Sequence, residues 1–544
     1  MPVRNGNGDL VGRSTIQLRG SPGTGAGSAR AALKLGLQQA AMSESLQMKS
    51  HGTARQVERS CCLIPTHRGG AERDEVKQGP AYWVAEGRYG GDSVLLRLVI
   101  HIADRISKTK YLDKRNGMLL LSNYEDHQHC QREEIMIDSE SFVIVGAGLA
   151  GASAARTLRE EHFAGRIRLI GAEAHRPYIR PPLSKDYLSG SADRDSVFVD
   201  PEGWYAENAV ELLQNTTVTG IDAAGQVVHT DTGDAVSFNK LLLTTGSSPR
   251  RLSIPGADLY GVHYLRTLDD SDALRSLLAG GGMRLVLIGS GWIGMEVAAT
   301  ARSLGNNVTI LERDPIPLAN ALGDELGQMF AELHEQNGVV LRRSVIVESI
   351  VGRDGHATGV ALEGGEVISA DLVLVGVGAI PNIELADAAG LTVDNGILVD
   401  AALRTSDPSI FAAGDIANAY HPVAKLRLRS EHWANALNGG RAAAKSMLGH
   451  DVSYDDIPYF YTDQFDLGME YSGFGPLTRG ADVVYRGDRA GREFIAFWVA
   501  GGRVVAGMNV NVWDVNEAVQ GIIRRGNQVD RVRLADATVS LETL

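Results

Sequence analysis

Cysteine is what this sequence most lacks: it has three in 544 residues, Cys61, Cys62 and Cys130, all within the first 135. From residue 136 onward there is no thiol, which excludes disulfide or thiolate chemistry in that part of the chain. The histidines do not gather at ligand spacings, so no metal site is expected. Long apolar runs are missing too. No stretch of 18 or more apolar residues is free of glycine and charge, and the opening "MPVRNGNGDLVGRST" has no hydrophobic segment of the signal-peptide kind. No membrane span is therefore expected, and the cytoplasm is the expected compartment.

Basic residues are also in deficit, 53 Lys and Arg against 66 Asp and Glu, but unevenly. The first 135 residues hold 19 basic and 14 acidic side chains, which leaves 34 against 52 in the remainder. No nucleic-acid partner is expected of so acidic a body. The leading segment is broken by "GSPGTGAGS" and "RGGAERDEVKQGP" and keeps no sustained period of 2 or 3.6. Its acids argue against an organelle-targeting presequence. Met136 stands just before the first strand-like run, so residues 1–135 are expected to be a disordered or spurious extension, with an interaction tail as the alternative. A chain of this length with 44% hydrophobic residues can hold about three domains.

What is abundant is glycine, and it is placed with purpose. "FVIVGAGLAG" at 142–151 is matched by "LVLIGSGWIG" at 285–294, each an apolar strand-like run leading into a helical pattern. In the first copy, Gly146 permits the tight turn, Gly148 lets the backbone approach a pyrophosphate, and Gly151 lets the helix pack on the strand. A pyrophosphate then sits on the helix N-terminus, where free N–H groups and the helix dipole favour an anion. A second strand, "IRLIGAE", ends at Glu173, 22 residues past Gly151 and placed to accept hydrogen bonds from a ribose diol. The second copy repeats each part with Gly289, Gly291 and Gly294, and its strand "NVTILE" ends at Glu312. A carboxylate there accepts from a 2′-hydroxyl and repels a 2′-phosphate, favouring NADH over NADPH, although Arg313 next door works against it. Two dinucleotide sites in one thiol-free body imply two dinucleotides. The chemically sensible pair is FAD and a nicotinamide, between which hydride can pass.

Four further stretches resemble the ferredoxin and rubredoxin reductase family of flavoproteins: "AHRPYIRPPLSKDYLSG" at 174–190, "LLLTTGSSPRRL" at 241–252, "IFAAGDIAN" at 410–418 and "RSEHWANALNGGRAAAKSMLG" at 429–449. The resemblance runs from about Met136 to Leu544. It implies two Rossmann-like dinucleotide-binding domains of glutathione-reductase-like fold and a C-terminal α+β domain with an antiparallel sheet. The expected divisions are 136–251 with 377–450 for FAD, 252–376 for NAD(H), and 451–544 for the C-terminal domain. It also implies roles. Asp415 would accept from the ribityl chain, and Arg250 would lie near the FAD. Lys185 would stand by the isoalloxazine as a catalytic cation, and Trp433 would pack near the flavin. Glu296, the second catalytic residue, would touch the nicotinamide carboxamide. Disulfide-bearing relatives carry a Cys-x4-Cys where this chain has "RPPLSKDYL", so electrons must leave the flavin directly.

From about Asp451 the pattern alternates as strands, "YFYTDQF", "DVVYRG" and "EFIAFWVAGGRVVAGMNV", with a hairpin at "AGG" and a closing helix "DVNEAVQGIIRRG". The leading expectation is an NADH-dependent FAD reductase, monomer or homodimer, that delivers single electrons to a ferredoxin-type iron–sulfur protein serving an oxygenase. Two others stay open. One is a reductase of a small molecule such as a quinone, oxygen or a monodehydroascorbate-like radical. The other is a flavoprotein like apoptosis-inducing factor that uses NADH as a binding switch. An acidic ferredoxin needs a basic patch to dock, and "AKLRLRS" with Lys425, Arg427 and Arg429, joined by Arg524 and Arg525, is the expected one.

Overall fold

The computed structural model describes residues 140–544 throughout and, within 1–139, only short backbone strands. The chain forms two units, 1–139 and 140–544. In the first, Val3–Arg4 pairs with Leu10–Val11, Ala81–Gly87 with Leu96–Ile102, and Lys108–Asp113, Met118–Asn123 and Glu133–Met136 form a three-stranded antiparallel sheet. The expectation of a disordered or spurious extension otherwise lies outside the described residues.

The second unit begins with β1 (Ser141–Val145), α1 (Leu149–Glu160), β2 (Arg166–Ile170), β3 (Val210–Leu213) and β4 (Lys240–Leu243). The chain then builds a second parallel sheet from β5 (Val262–His263), β6 (Arg284–Ile288), β7 (Asn307–Leu311), β8 (Val340–Arg342) and β9 (Leu372–Val375). Helices α2 (Leu268–Leu278), α3 (Trp292–Ser303) and α4 (Asp324–Gln336) accompany it. It returns as β10 (Ile410–Ala412) to complete the first sheet, in the order β3-β2-β1-β4-β10, while the second sheet reads β5-β9-β6-β7-β8. Both are parallel, and the central strands are apolar almost without interruption because both faces are covered: "FVIV", "LLL" and "LVLI" are buried residue by residue.

The two glycine turns repeat one another in detail. Gly146 and Gly289 both have positive φ, +112° and +101°, and a Cβ on either would meet the carbonyl oxygen of the crossing strand, Thr244 O at 2.2 Å and Gly376 O at 2.5 Å. The third glycines close back on the first. A Cβ on Gly151 would stand 2.2 Å from Gly146 O, and one on Gly294 would stand 2.5 Å from Gly289 O. Helix α5 (Trp433–Met447) crosses α1 with no side chain between them, since a Cβ on Gly440 would reach Ala150 O at 2.2 Å.

The C-terminal sheet is antiparallel: β11 (Tyr459–Gln464), β12 (Leu467–Gly473), β13 (Asp482–Asp488), β14 (Glu493–Ala500) and β15 (Arg503–Val510), in the order β11-β12-β15-β14-β13, with α6 (Asn516–Arg525) against it. The hairpin at Gly501 and Gly502 is as expected. Strand β12 is an addition to the sequence reading. Its two-residue turn is Phe465-Asp466, with Phe465 at φ +57°, and carries none of the Asn-Gly or Gly signals that mark such turns. One apolar cluster runs from Tyr187 through Met295 and Phe330 to Met469 and Trp498, so the C-terminal sheet shares its core with the helices of the second parallel sheet. Among the described residues no helix is long and apolar enough to cross a membrane.

Candidate functional site

A cavity of about 660 Å³ opens where the first glycine turn, the start of α5, the second glycine turn and β11 converge. This lies within the ~300–1,000 Å³ typical of cofactor pockets. Gly146 and Gly148 line one end. A Cβ on Gly148 would meet nothing within 4 Å, and the first turn of α1 carries no acid, so its free N–H groups face open space suited to an anion. Gly151 is not in the lining; its place is the contact with Gly146 O.

Glu173, three residues past the end of β2, also lines the cavity. Its carboxylate accepts from Tyr178 Oη (2.5 Å) and Arg180 (3.0 Å). Burial pushes the Tyr178 hydroxyl pKa up, so it remains a donor. Asp415 is buried just after β10, and Ser247 Oγ (2.8 Å) and Arg266 (2.7 Å) both donate to its Oδ2, which leaves Oδ1 for a ligand hydroxyl. Trp433, the first residue of α5, lines the same space.

Lys185 and Glu296, read from separate motifs, meet here as an ion pair. Lys185 Nζ lies 2.7 Å from Glu296 Oε2, with the two side chains 11% and 7% exposed. Ser184 Oγ also donates to Oε2 (2.5 Å), and Thr462 Oγ1 donates to Oε1 (2.7 Å). A buried carboxylate is tolerated when it is paired and hydrogen-bonded in this way.

Other expectations are displaced. Arg250 is exposed and outside the cavity lining. Residues Ser247–Pro249 pair antiparallel with Ala379–Pro381, and the Arg250 N–H donates to Gly378 O, which carries its side chain to solvent. Arg180 and Arg266 take the cationic places at the cavity instead. Arg266 directly precedes the Thr267 cap of α2, a position no sequence motif marks. Gly289, Gly291, Gly294 and Glu312 also lie outside the lining, although Trp292 and Ile293 of the same turn reach it. Glu312 folds against its own turn, accepting from Ser290 N (2.8 Å) and Ser290 Oγ (2.5 Å). The Arg313 side chain, 79% exposed, leans toward Asp314.

The expected basic patch is largely spent internally. Arg427 donates to the carbonyls of Val399 and Asn418, Arg429 pairs with Glu431, Arg524 pairs with Asp455, and Arg525 donates to the Leu544 carbonyl. Sequence reasoning also missed His432. It lines the cavity, and its Nδ1 is buried without a partner among the described residues; desolvation pushes the imidazole down to about 4.

The residues present fit a flavin dinucleotide. There is a phosphate-sized opening at Gly148 and a carboxylate with a spare oxygen at mid-cavity. Two buried nitrogens, His432 Nδ1 and Arg266 Nε, lack partners among the described residues, and a cation–carboxylate pair stands at the far end.

Residues 140–440 match the family described as pyridine nucleotide-disulphide oxidoreductase, and residues 459–544 match the reductase C-terminal family. The chain is 39% identical to a probable ferredoxin reductase, CtmF, of Castellaniella defragrans, over 75% of this chain and 99% of that protein. It is also 39% identical to the ferredoxin–NAD(+) reductase component of the anthranilate 1,2-dioxygenase system of Burkholderia cepacia, over 75% and 100%. The solved ferredoxin reductase for the CYP199A2 system of Rhodopseudomonas palustris superposes with a TM-score of 0.71 at 37% identity, over 74% of this chain and 99% of that one. With the first match supplying most of the cavity wall and the second its Tyr459–Tyr461 edge, the chain belongs to the pyridine nucleotide-disulphide oxidoreductase family, among its ferredoxin and rubredoxin reductases.

Proposed function

We propose that the protein takes electrons from NADH onto FAD and passes them one at a time to a ferredoxin-type iron–sulfur protein that serves an oxygenase. The observation that carries this reading is a flavin-sized cavity in a body without a single cysteine, so that no thiol relay stands between flavin and acceptor. The names of the relatives support it. FAD supplies the step from paired to single electrons: it accepts a hydride and releases its electrons separately.

The protein's own residues do the placing. The turn at Gly146 and Gly148 with the N-terminus of α1 holds the pyrophosphate, Glu173 the ribose, Asp415 Oδ1 the ribityl chain, and Trp433 flanks the ring. Lys185 and Glu296 bound the ring where the nicotinamide arrives. The second turn with Glu312 holds NADH. In this reading residues 136–251 with 377–450 form the flavin domain, 252–376 the nicotinamide domain and 451–544 the acceptor-facing domain. The protein works in the cytoplasm, beside its donor.

Turnover of the purified holoprotein on a ferredoxin panel, a quinone and oxygen tests the proposal. The expected result is a kcat/KM for at least one ferredoxin about 100-fold above the small acceptors, a difference of ~2.7 kcal/mol. A quinone or oxygen turning over faster than every ferredoxin overturns it. Donor choice is tested at Glu312. Glu312→Ala is expected to lower kcat/KM for NADH about tenfold, since a hydrogen bond to a charged group contributes ~1.5–3 kcal/mol, and to raise it for NADPH, since the repulsion of the 2′-phosphate is lost.

A further inference from the structure

The Glu296 carboxylate is the end of a buried hydrogen-bonded chain that runs from α3 through β11 to α4. Thr462 Oγ1 donates to Glu296 Oε1 (2.7 Å), Gln464 Nε2 donates to Thr462 Oγ1 (3.1 Å), and Gln464 Oε1 meets His334 Nε2 (2.9 Å). Thr462 and Gln464 are alternate residues of β11, buried on one face, while Asp463 between them is exposed. His334 comes from α4 and is fully buried.

The protons in this chain have one arrangement. A carboxylate only accepts, so the single Thr462 proton points at Glu296, and Thr462 Oγ1 must receive its other bond from the Gln464 amine. The Gln464 oxygen therefore faces His334, which carries its proton on Nε2. The ring nitrogen left bare is Nδ1, the atom that is buried without a partner among the described residues. Burial pushes the His334 imidazole down to about 4, so the ring stays neutral and this arrangement persists at neutral pH. Three donors in series point toward one carboxylate, each polarising the next.

We propose that Thr462 is a positioning residue that fixes the Glu296 carboxylate against Lys185, so that the C-terminal sheet sets the charge balance beside the flavin ring and with it the flavin's reduction potential. This rests on the reading that FAD occupies the cavity. A negative charge near the ring opposes its reduction, whereas Lys185 favours it. Without the Thr462 donor, Glu296 Oε1 is a bare buried oxygen that holds charge less well. Reduction should then become easier.

The test is a spectroelectrochemical titration of the FAD-loaded protein with redox mediators and neither NADH nor an acceptor present. Thr462→Val keeps the side chain's shape and removes the hydroxyl. It is expected to favour the reduced form about tenfold, which is ~30 mV upward for a two-electron couple. Thr462→Ser is expected to restore the parent potential. The inference is overturned by a T462V protein with full FAD, an unchanged melting temperature and the parent potential, or by T462S shifting as far as T462V does. Should T462V fail to hold FAD, Gln464→Met takes its place, because it removes the amine that donates to Thr462 Oγ1 and polarises the Thr462 bond to Glu296. An upward shift there supports the inference and no shift overturns it. A parent protein that binds no FAD would instead sink the cofactor reading itself, so the two failures are distinguishable.

Discussion

Lys185→Met is expected to slow flavin reduction by NADH about 100-fold while the protein still purifies with its flavin. The substitution keeps an unbranched side chain of similar length and removes only the charge, so packing beside Tyr461 and Ser184 is preserved. What it leaves behind is Glu296, a carboxylate 7% exposed whose one cationic partner is gone. Breaking a buried pair from one side costs ~3–5 kcal/mol, because the remaining charge stays desolvated. The loss of a preorganised charge at a reacting centre is worth ~10²–10³ in rate. Glu296→Gln should cost less in stability, since the amide oxygen can still accept from one of Thr462 and Ser184, which donate to different oxygens of the carboxylate, and no charge is stranded on the carboxylate side. Single-turnover bleaching of the flavin by NADH measures the rate, and thermal melting measures the stability. A Lys185→Met protein that is reduced at the parent rate would remove the pair from the chemistry.

The two glycines of the first turn should fail in different ways. Gly146→Ala places a Cβ 2.2 Å from the Thr244 carbonyl oxygen in a backbone of φ +112°. Overpacking and left-handed strain each contribute ~1–3 kcal/mol, so both stability and flavin should be lost. Gly148 has φ −90° and ψ −169°, ordinary extended backbone, and an added Cβ there meets nothing within 4 Å. Gly148→Ala should therefore fold with the melting temperature of the flavin-stripped parent, yet bind FAD about 100-fold more weakly, ~2.7 kcal/mol, because the methyl occupies the path of the pyrophosphate. Melting curves of stripped protein together with flavin titration separate the cases. Full flavin affinity in Gly148→Ala would mean that the phosphates pass elsewhere.

Gly146, Gly151, Gly289 and Gly294 were legible in the sequence because backbone contact leaves no other residue a choice, and the constraint sits within ten residues. Glu173 and Glu312 were legible too, each just past the strand that follows its turn. The bond from Thr462 to Glu296 was not legible. It spans 166 residues and depends on how the C-terminal sheet docks, which no local pattern encodes. Arg250 differs in another way: it follows a flavin-like motif, but the antiparallel pairing of Ser247–Pro249 turns it outward, and Arg266 lines the cavity from a position with no motif at all. Strand β12 went unread because Phe465 occupies a turn position that usually announces itself with glycine or asparagine. The charge of Arg427 looked available because its main-chain acceptors are invisible in a sequence, and that of Arg429 because its pairing with Glu431 depends on the turn after its strand.

The bare crossing of α1 and α5 at Gly440 has a mechanical consequence. With a carbonyl oxygen where a side chain would be, the two helices have no cushion across which to slide or rock. One of them begins at the Gly146 and Gly148 side of the cavity and the other at Trp433. Both ends of the cofactor seat are thus clamped to a single stiff body. Any breathing that admits a second dinucleotide has to be sought in the wall contributed by α3 and β11, not in this one.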